Sequence, residues 1–80
     1  MRLRDMLVGH KGRILHIESG EPFYRQRLVA MGLLPGTEFT VTRIAPLGDP
    51  IIIFVRGFLL GLRKKEANIL KIERIQEAHS

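Results

Sequence analysis

The apolar run Ile51–Val55, with the sequence IIIFV, places the strongest limit on how this 80-residue chain can fold. Pro46 and Pro50 precede the run. Proline lacks the amide proton that a strand ladder needs, so pairing must pause before the run begins. Gly57 follows the run and turns the chain. A short apolar run between such breaks predicts a buried β-strand.

Both faces of this predicted strand are apolar. Successive side chains of a strand point to opposite faces, so Ile51, Ile53 and Val55 share one face, and Ile52 and Phe54 share the other. A small barrel has one interior, and one of the two sets should therefore face outward. Either the helix of the chain covers that set, or it forms an exposed apolar patch of the kind that marks an interaction site.

The rest of the chain predicts one helix and further short strands. Pro22 suits the first turn of a helix of about ten residues, Tyr24, Leu28 and Met31 fall on one stripe of it, and Gly32 suits its C-terminal cap. The predicted strands are Arg13–Glu18, Thr37–Ala45, Ile51–Arg56, Phe58–Leu62 and a last strand that contains Leu70 and Ile72.

Two of these strands show how their faces are arranged. In the first, Leu15 and Ile17 are predicted to share a face. In the second, Phe39 and Val41 share a face, but the apolar phase then slips, which predicts a bulge near Arg43.

Five short strands and one inserted helix predict a mainly β fold. Strands this short leave ragged edges in an open sheet, and closure into a barrel removes that hazard. We expect a small SH3-like barrel, with an OB-fold as the alternative. Residues 1–80 are expected to form a single domain with its core at about 7–75.

The composition narrows the cellular context. The chain has no cysteine, which excludes disulfides and thiolate metal sites. Charged residues interrupt its first residues, so no signal-peptide core is expected, and no apolar run approaches the roughly 20 residues that span a bilayer. We therefore expect a cytoplasmic protein.

The net charge of +5 raises the question of nucleic-acid binding. Arg63, Lys64 and Lys65 form the one basic block, and the remaining charges are scattered. The aromatic residues do not repeat beside basic residues in a stacking pattern. A solvated basic surface is the preferred interpretation, and no nucleic-acid partner is expected.

No motif for catalysis or for metal binding is present in the sequence. The chain has no phosphate-binding loop, no serine in a nucleophile motif and no carboxylates spaced as an acid–base pair. His10, His16 and His79 match no metal-ligand spacing. We expect neither an enzyme nor an intrinsic cofactor or metal site.

Four residues are the predicted contacts for a protein partner. Ile52 and Phe54 belong to the outward set of the two-faced strand, and Leu47 lies at the tip of a loop braced by two prolines. A preset loop loses less entropy when it docks. The alternative is that Leu47 folds back over the barrel. Arg25 faces away from the apolar stripe of the predicted helix.

Several ordered motifs resemble the FeoA family of ferrous iron transport proteins, from about Leu7 to Ile75. They are Arg27-Leu28, Met31-Gly32-Leu33, Pro35-Gly36, Ala45-Pro46-Leu47-Gly48-Asp49-Pro50, Arg56, Leu62-Arg63 and Glu66-Ala67. RLVAMGLLPG followed by APLGDPI is a specific combination, whereas either piece alone is weak. A related module forms the C-terminal domain of some iron-dependent repressors.

The resemblance implies an SH3-like barrel that supports FeoB, the membrane ferrous-iron transporter with a cytosolic GTP-binding domain. Such a chain would act by protein–protein contact at the inner face of the membrane, with iron handled by the partner. The alternatives are a nucleic-acid-binding barrel and a ferrous-iron chaperone or sensor. The two-faced strand could also meet a second copy of the chain.

Overall fold

The computed structural model describes residues 1–18, 20 and 22–76, which form one antiparallel sheet with two helices. The elements are β1 (Lys11–Ile17), α1 (Pro22–Ala30), β2 (Glu38–Ile44), β3 (Ile51–Val55), β4 (Phe58–Leu62), α2 (Lys64–Ala67) and β5 (Leu70–Ile75). Short 3-10 turns occupy Leu3–Asp5 and Pro46–Gly48. The predicted mainly β fold with five strands and one main helix is confirmed.

The strand order is β4-β3-β2-β1-β5, and every neighbouring pair is antiparallel. β4 and β5 are the outer strands, and among the described residues they do not pair with each other. The expected barrel is therefore left open along one seam, and this sheet keeps two edges. How each edge is protected decides which surfaces are available for contact.

The core lies on the inward face of this sheet, with α1 and the N-terminal residues packed against it. Its buried apolar residues are Leu3, Met6, Ile14, Leu28, Leu33, Phe39, Val41, Ile51, Ile53, Val55, Leu62, Ala67, Leu70 and Ile72. Leu28 is the buried residue of α1, while Tyr24 and Met31 are half-buried.

Gly32 ends α1 as the sequence predicts. Its φ of 82° is the left-handed conformation that glycine adopts without strain. The N–H of Gly32 donates to the carbonyl of Val29, and the N–H of Leu33 donates to that of Leu28. This pair of bonds is a Schellman motif, which satisfies the last carbonyls of the helix and turns Leu33 into the core.

Two bulges change which residues face the core. The predicted bulge near Arg43 is confirmed, because the register between β2 and β3 shifts between Val41 and Arg43. A second bulge in β1, between Ile14 and His16, was not predicted. The extra residue shifts the phase of the alternation, so Ile14 and Ile17 pack toward the core, while Leu15 is 40% exposed. The prediction that Leu15 and Ile17 share a face is therefore wrong.

A cross-strand charge cluster lies on β1. The guanidinium of Arg13 donates to Glu73 of β5 at 2.7 Å and to Glu38 of β2 at 3.2 Å. The bond to Glu73, followed by that to Glu38, raises the pKa of Arg13 above its ordinary value. Arg13 therefore stays charged at every physiological pH and contacts both neighbouring strands.

Arg27 and Glu66 join α1 to α2. Nε of Arg27 donates to Oε2 of Glu66 at 2.6 Å, and Oε1 of Glu66 accepts the N–H of Arg63 at 3.0 Å. Glu66 is 2% exposed, so its carboxylate depends on these donors. The guanidinium of Arg27 is therefore the counter-ion of a buried carboxylate.

Candidate partner-binding surface

The outward face of the β3–β4 hairpin carries a cluster of apolar side chains. In the register of this pair, Phe54 lies opposite Leu59 and Ile52 lies opposite Gly61. Residues that face each other across a ladder lie on the same side of the sheet, so Ile52, Phe54 and Leu59 share one face. We call these three residues the hairpin patch.

Exposure separates the two faces of β3 as the alternation predicts. Ile51, Ile53 and Val55 are each at most 4% exposed, whereas Phe54 is 39% exposed and Ile52 is half-buried. Leu59 is 68% exposed. The alternative in which the helix covers the outward set is therefore wrong.

Leu47 projects fully from the loop between β2 and β3. Its side chain is 94% exposed and its φ is 68°, a left-handed conformation that bulky residues rarely adopt. The bonds from Gly48 N–H to the Ala45 carbonyl and from Ala45 N–H to the Pro50 carbonyl close the loop beneath it. The alternative in which Leu47 folds back over the barrel is therefore wrong.

Leu47 and Phe54 do not belong to one continuous cluster. The loop of Leu47 joins the end of β3 at Ile51, and Phe54 lies three residues farther along the strand. At the usual rise per residue this separation is about 10 Å. Ile52 lies between Leu47 and Phe54 along the chain. A partner can therefore cover both the loop and the hairpin patch only if it lies along the length of β3.

Arg25 lies on another part of the molecule. It is exposed on α1, and its Nη1 donates to the carbonyl of Ile17, at the end of β1, at 3.1 Å. β1 is separated from β3 by β2 in the sheet. The structure therefore places three of the four predicted contacts along the β2–β3 loop and the hairpin and places Arg25 elsewhere. Its role in partner binding stays a prediction.

The hairpin patch lies in a positively charged region. No acidic residue occurs between positions 50 and 65, whereas Arg56, Arg63, Lys64 and Lys65 are all exposed there. Arg56 and Gly57, with φ of 51° and 85°, form the two-residue turn of the hairpin. The turn brings the Arg56 guanidinium to 3.8 Å from the position that a Cβ on Gly32 would take, beside the C-terminus of α1, where the helix dipole favours a cation.

The histidines do not come together as metal ligands. Nδ1 of His10 accepts the N–H of Leu7 at 3.1 Å, and His16 is exposed on β1. His79 lies outside the described residues. In the described part of the chain, no three His, Cys, Asp or Glu side chains are grouped so that they could hold a metal ion.

Within the same part of the chain, no helix has the length and hydropathy to cross a bilayer.

Comparison with known proteins identifies the family. The FeoA domain model matches residues 1–74. This chain belongs to the FeoA family. A FeoA-like protein of Clostridium acetobutylicum, solved by NMR, is 34% identical and superposes with a TM-score of 0.85, covering 100% of this chain and 92% of that one.

Two further proteins are similar to this FeoA-family chain, one a fusion protein and the other a crystal structure. A fusion of Fe(2+) transport protein A with the Fe(2+) transporter FeoB from Porphyromonas gingivalis is 32% identical over 75 residues, which are 94% of this chain and 9% of the fusion. The FeoA of Stenotrophomonas maltophilia, crystallised with zinc and described as a prokaryotic SH3 domain protein, is 19% identical with a TM-score of 0.80, covering 98% of this chain and 99% of that one. The SH3-like fold predicted for this chain is confirmed.

Sequence reasoning did not name Leu59. The alternation of Phe58, Leu60 and Leu62 left it on the opposite face, but its neighbours were unknown. The signal that places it is the two-residue turn at Arg56-Gly57, which fixes the register and sets Leu59 opposite Phe54.

Proposed function

We propose that this chain is an accessory component of bacterial ferrous-iron transport that binds the transporter FeoB through the hairpin patch. The observation that carries the proposal is the Porphyromonas gingivalis fusion, in which a related segment and FeoB form one polypeptide. Fusion holds two proteins at a high effective concentration, an arrangement that favours partners that bind each other. Binding to FeoB would place this chain in the cytoplasm. Through this contact the chain would modulate GTP-linked uptake.

The surface chemistry supports a contact of this kind. Phe54 and Leu59 expose apolar area side by side on a regular hairpin, which loses little entropy when it is covered. Aromatic residues in such positions often carry a large share of an interface's binding energy. Nucleic-acid binding, self-association and a chaperone role for ferrous iron stay alternatives, and no observation favours them over a protein partner.

A co-purification experiment with a matched control tests the proposal. The wild-type chain and its Leu59→Ser and Leu7→Ser variants are mixed with the FeoB cytosolic domain and with full-length FeoB in membranes. Leu7 is 64% exposed, close to the 68% of Leu59, but it lies outside the hairpin patch. We expect wild type and Leu7→Ser to be retained and Leu59→Ser to be lost. If wild type associates with neither form of FeoB, the proposal fails.

A further inference from the structure

The two edges of the sheet are protected to different degrees. At β5, the N–H of Ile72 donates to the carbonyl of Met1, and Leu3 is buried beside it, so the N-terminal segment covers that edge. β5 also carries Lys71, Glu73 and Arg74. Charged side chains and covering segments are how natural sheets prevent edge pairing. β4 has neither: its sequence FLLGL is uncharged, and in the described chain its only strand neighbour is β3.

The hairpin register shows which backbone groups of β4 are open. In a hairpin with a two-residue turn, the residues that flank the turn, Val55 and Phe58, form a hydrogen-bonded pair. Pairs then alternate along an antiparallel ladder, so Leu60 and Leu62 also bond to β3. The N–H and C=O groups of Leu59 and Gly61 point away from β3, toward the open edge.

We propose that the open edge of β4 takes up an extended, acidic segment of the protein partner as an additional strand. The inference rests on the proposed function for the existence of a protein partner, and it adds the chemistry of the segment that binds. Leu59 and Gly61 supply the backbone hydrogen bonds, as in other cases where a peptide extends a sheet edge. The apolar side chain of Leu59 contacts the face of the added strand.

Charge at the ends of β4 selects an acidic occupant. Arg56 lies just before the strand and Arg63 just after it, with Lys64 and Lys65 following. All four are exposed, and no described residue forms an ion pair with any of them. Arg56 and Arg63 flank the five residues of β4, which extend over about 17 Å. A partner strand with a carboxylate near each end would therefore neutralise both.

In the antiparallel register centred on Leu60, a second copy of β4 fits this edge poorly. Antiparallel pairing of two copies, centred on Leu60, would set Arg56 of one copy opposite Lys64 of the other and Gly57 opposite Arg63. Like charges directly opposite each other destabilise a ladder, and this register would bring them together at both ends. Charge complementarity therefore favours an acidic segment over self-pairing in this register.

A peptide titration tests the edge without FeoB. The probe is the capped peptide Glu-Thr-Val-Thr-Val-Thr-Glu, and its control carries lysine in place of both glutamates. We expect millimolar Glu-ended peptide to slow hydrogen exchange of the Leu59 and Gly61 amides at least tenfold, measured by NMR, and the Lys-ended peptide to slow it much less. Unchanged exchange at both amides overturns the strand-addition model, and equal effects of the two peptides overturn the acidic preference.

Two variants at one position extend the test to intact FeoB. Leu59→Pro removes the outward N–H, which β3 does not use, whereas Leu59→Thr keeps it. Provided that thermal unfolding shows both to be folded, we expect Leu59→Pro to lose FeoB binding and Leu59→Thr to keep more of it. Wild-type affinity in the folded Leu59→Pro variant overturns strand addition while leaving the proposed function intact. Absence of wild-type binding refutes the proposed function, and the peptide titration then decides the inference alone.

Discussion

Leu47 occupies a costly backbone conformation and gains no burial in return. Its φ of 68° lies in the left-handed region, which costs a bulky residue on the order of 1–2 kcal/mol, and its side chain is 94% exposed. Strain at an exposed side chain is typical of residues retained for contact. The sequence indicated the stiff loop, but the left-handed conformation was not predictable at a leucine because glycine and asparagine are the residues that favour it.

Replacing Leu47 by asparagine should stabilise the fold. Asparagine tolerates the left-handed region, and no buried area is lost, so we expect Leu47→Asn to raise the free energy of unfolding by about 0.5–1 kcal/mol in urea titration. Val29→Asn is the control, because Val29 is 45% exposed in ordinary helical backbone and should give no such gain. A clear loss of stability in Leu47→Asn would show that the leucine supports the fold.

Removing the counter-ion of Glu66 should destabilise the chain. Arg27→Met leaves a buried carboxylate without its charged donor, and we expect the free energy of unfolding to fall by about 1–3 kcal/mol. Arg25→Met, on the same helix, breaks only an exposed bond to a carbonyl and should cost much less. Equal losses, measured by chemical denaturation, would contradict the assigned role of Arg27. The sequence alone did not indicate this ion pair, because nothing local shows that α1 meets α2.

Among the elements, β3 has two faces with different roles. Its inward face stabilises the fold, and its outward face is the one proposed to bind the partner. Ile53 is 1% exposed, so we expect Ile53→Ala to lower the free energy of unfolding by about 2–5 kcal/mol. Phe54 is 39% exposed on the other face, and Phe54→Ala should cost clearly less. The two variants are compared by thermal and urea unfolding. A larger loss for Phe54→Ala would mean that the outward face is part of the core.

The contact between β1 and β2 requires glycine at position 12, where any side chain would collide with its neighbours. A Cβ on Gly12 would lie 2.6 Å from Cζ of Phe39 and 3.2 Å from the backbone oxygen of Glu73. Gly12→Ala must therefore displace a buried ring, and we expect a loss of about 1–3 kcal/mol in the free energy of unfolding. Gly61→Ala meets only the flexible tip of Ile52 at 3.2 Å and is the control. Similar effects of both changes on the unfolding midpoint would contradict this account.

Simple alternation predicted which way the side chains of some strands point and failed for others. In β3 every residue is paired without interruption, so a period of two places all five side chains correctly. In β1 the bulge between Ile14 and His16 inserts one residue, and the prediction that Leu15 and Ile17 share a face failed. An apolar phase slip revealed the bulge in β2, whereas Ile14, Leu15 and Ile17 are all apolar and hide the one in β1.

At the scale of the whole molecule, the fold was more predictable than the surface that binds. Short strands, turn residues and one short helix bounded by Pro22 and Gly32 are local patterns, and they sufficed for an SH3-like arrangement. Whether the outward face of β3 is covered depends on where α1 packs, and which edge stays open depends on where the N-terminal residues lie. Phe54 and β4 became interpretable only once those long-range contacts were known.

The affinity of the chain for full-length FeoB in lipid nanodiscs is the most direct measure of whether the hairpin patch binds this partner. The wild type is compared with a double variant of the hairpin patch, Phe54→Ser with Leu59→Ser, and with a control double variant, Leu7→Ser with Val8→Ser, at exposed apolar sites elsewhere. We expect wild-type affinity for the control and at least tenfold weaker binding for the patch variant, about 1.4 kcal/mol. Equal dissociation constants for all three folded proteins would contradict it.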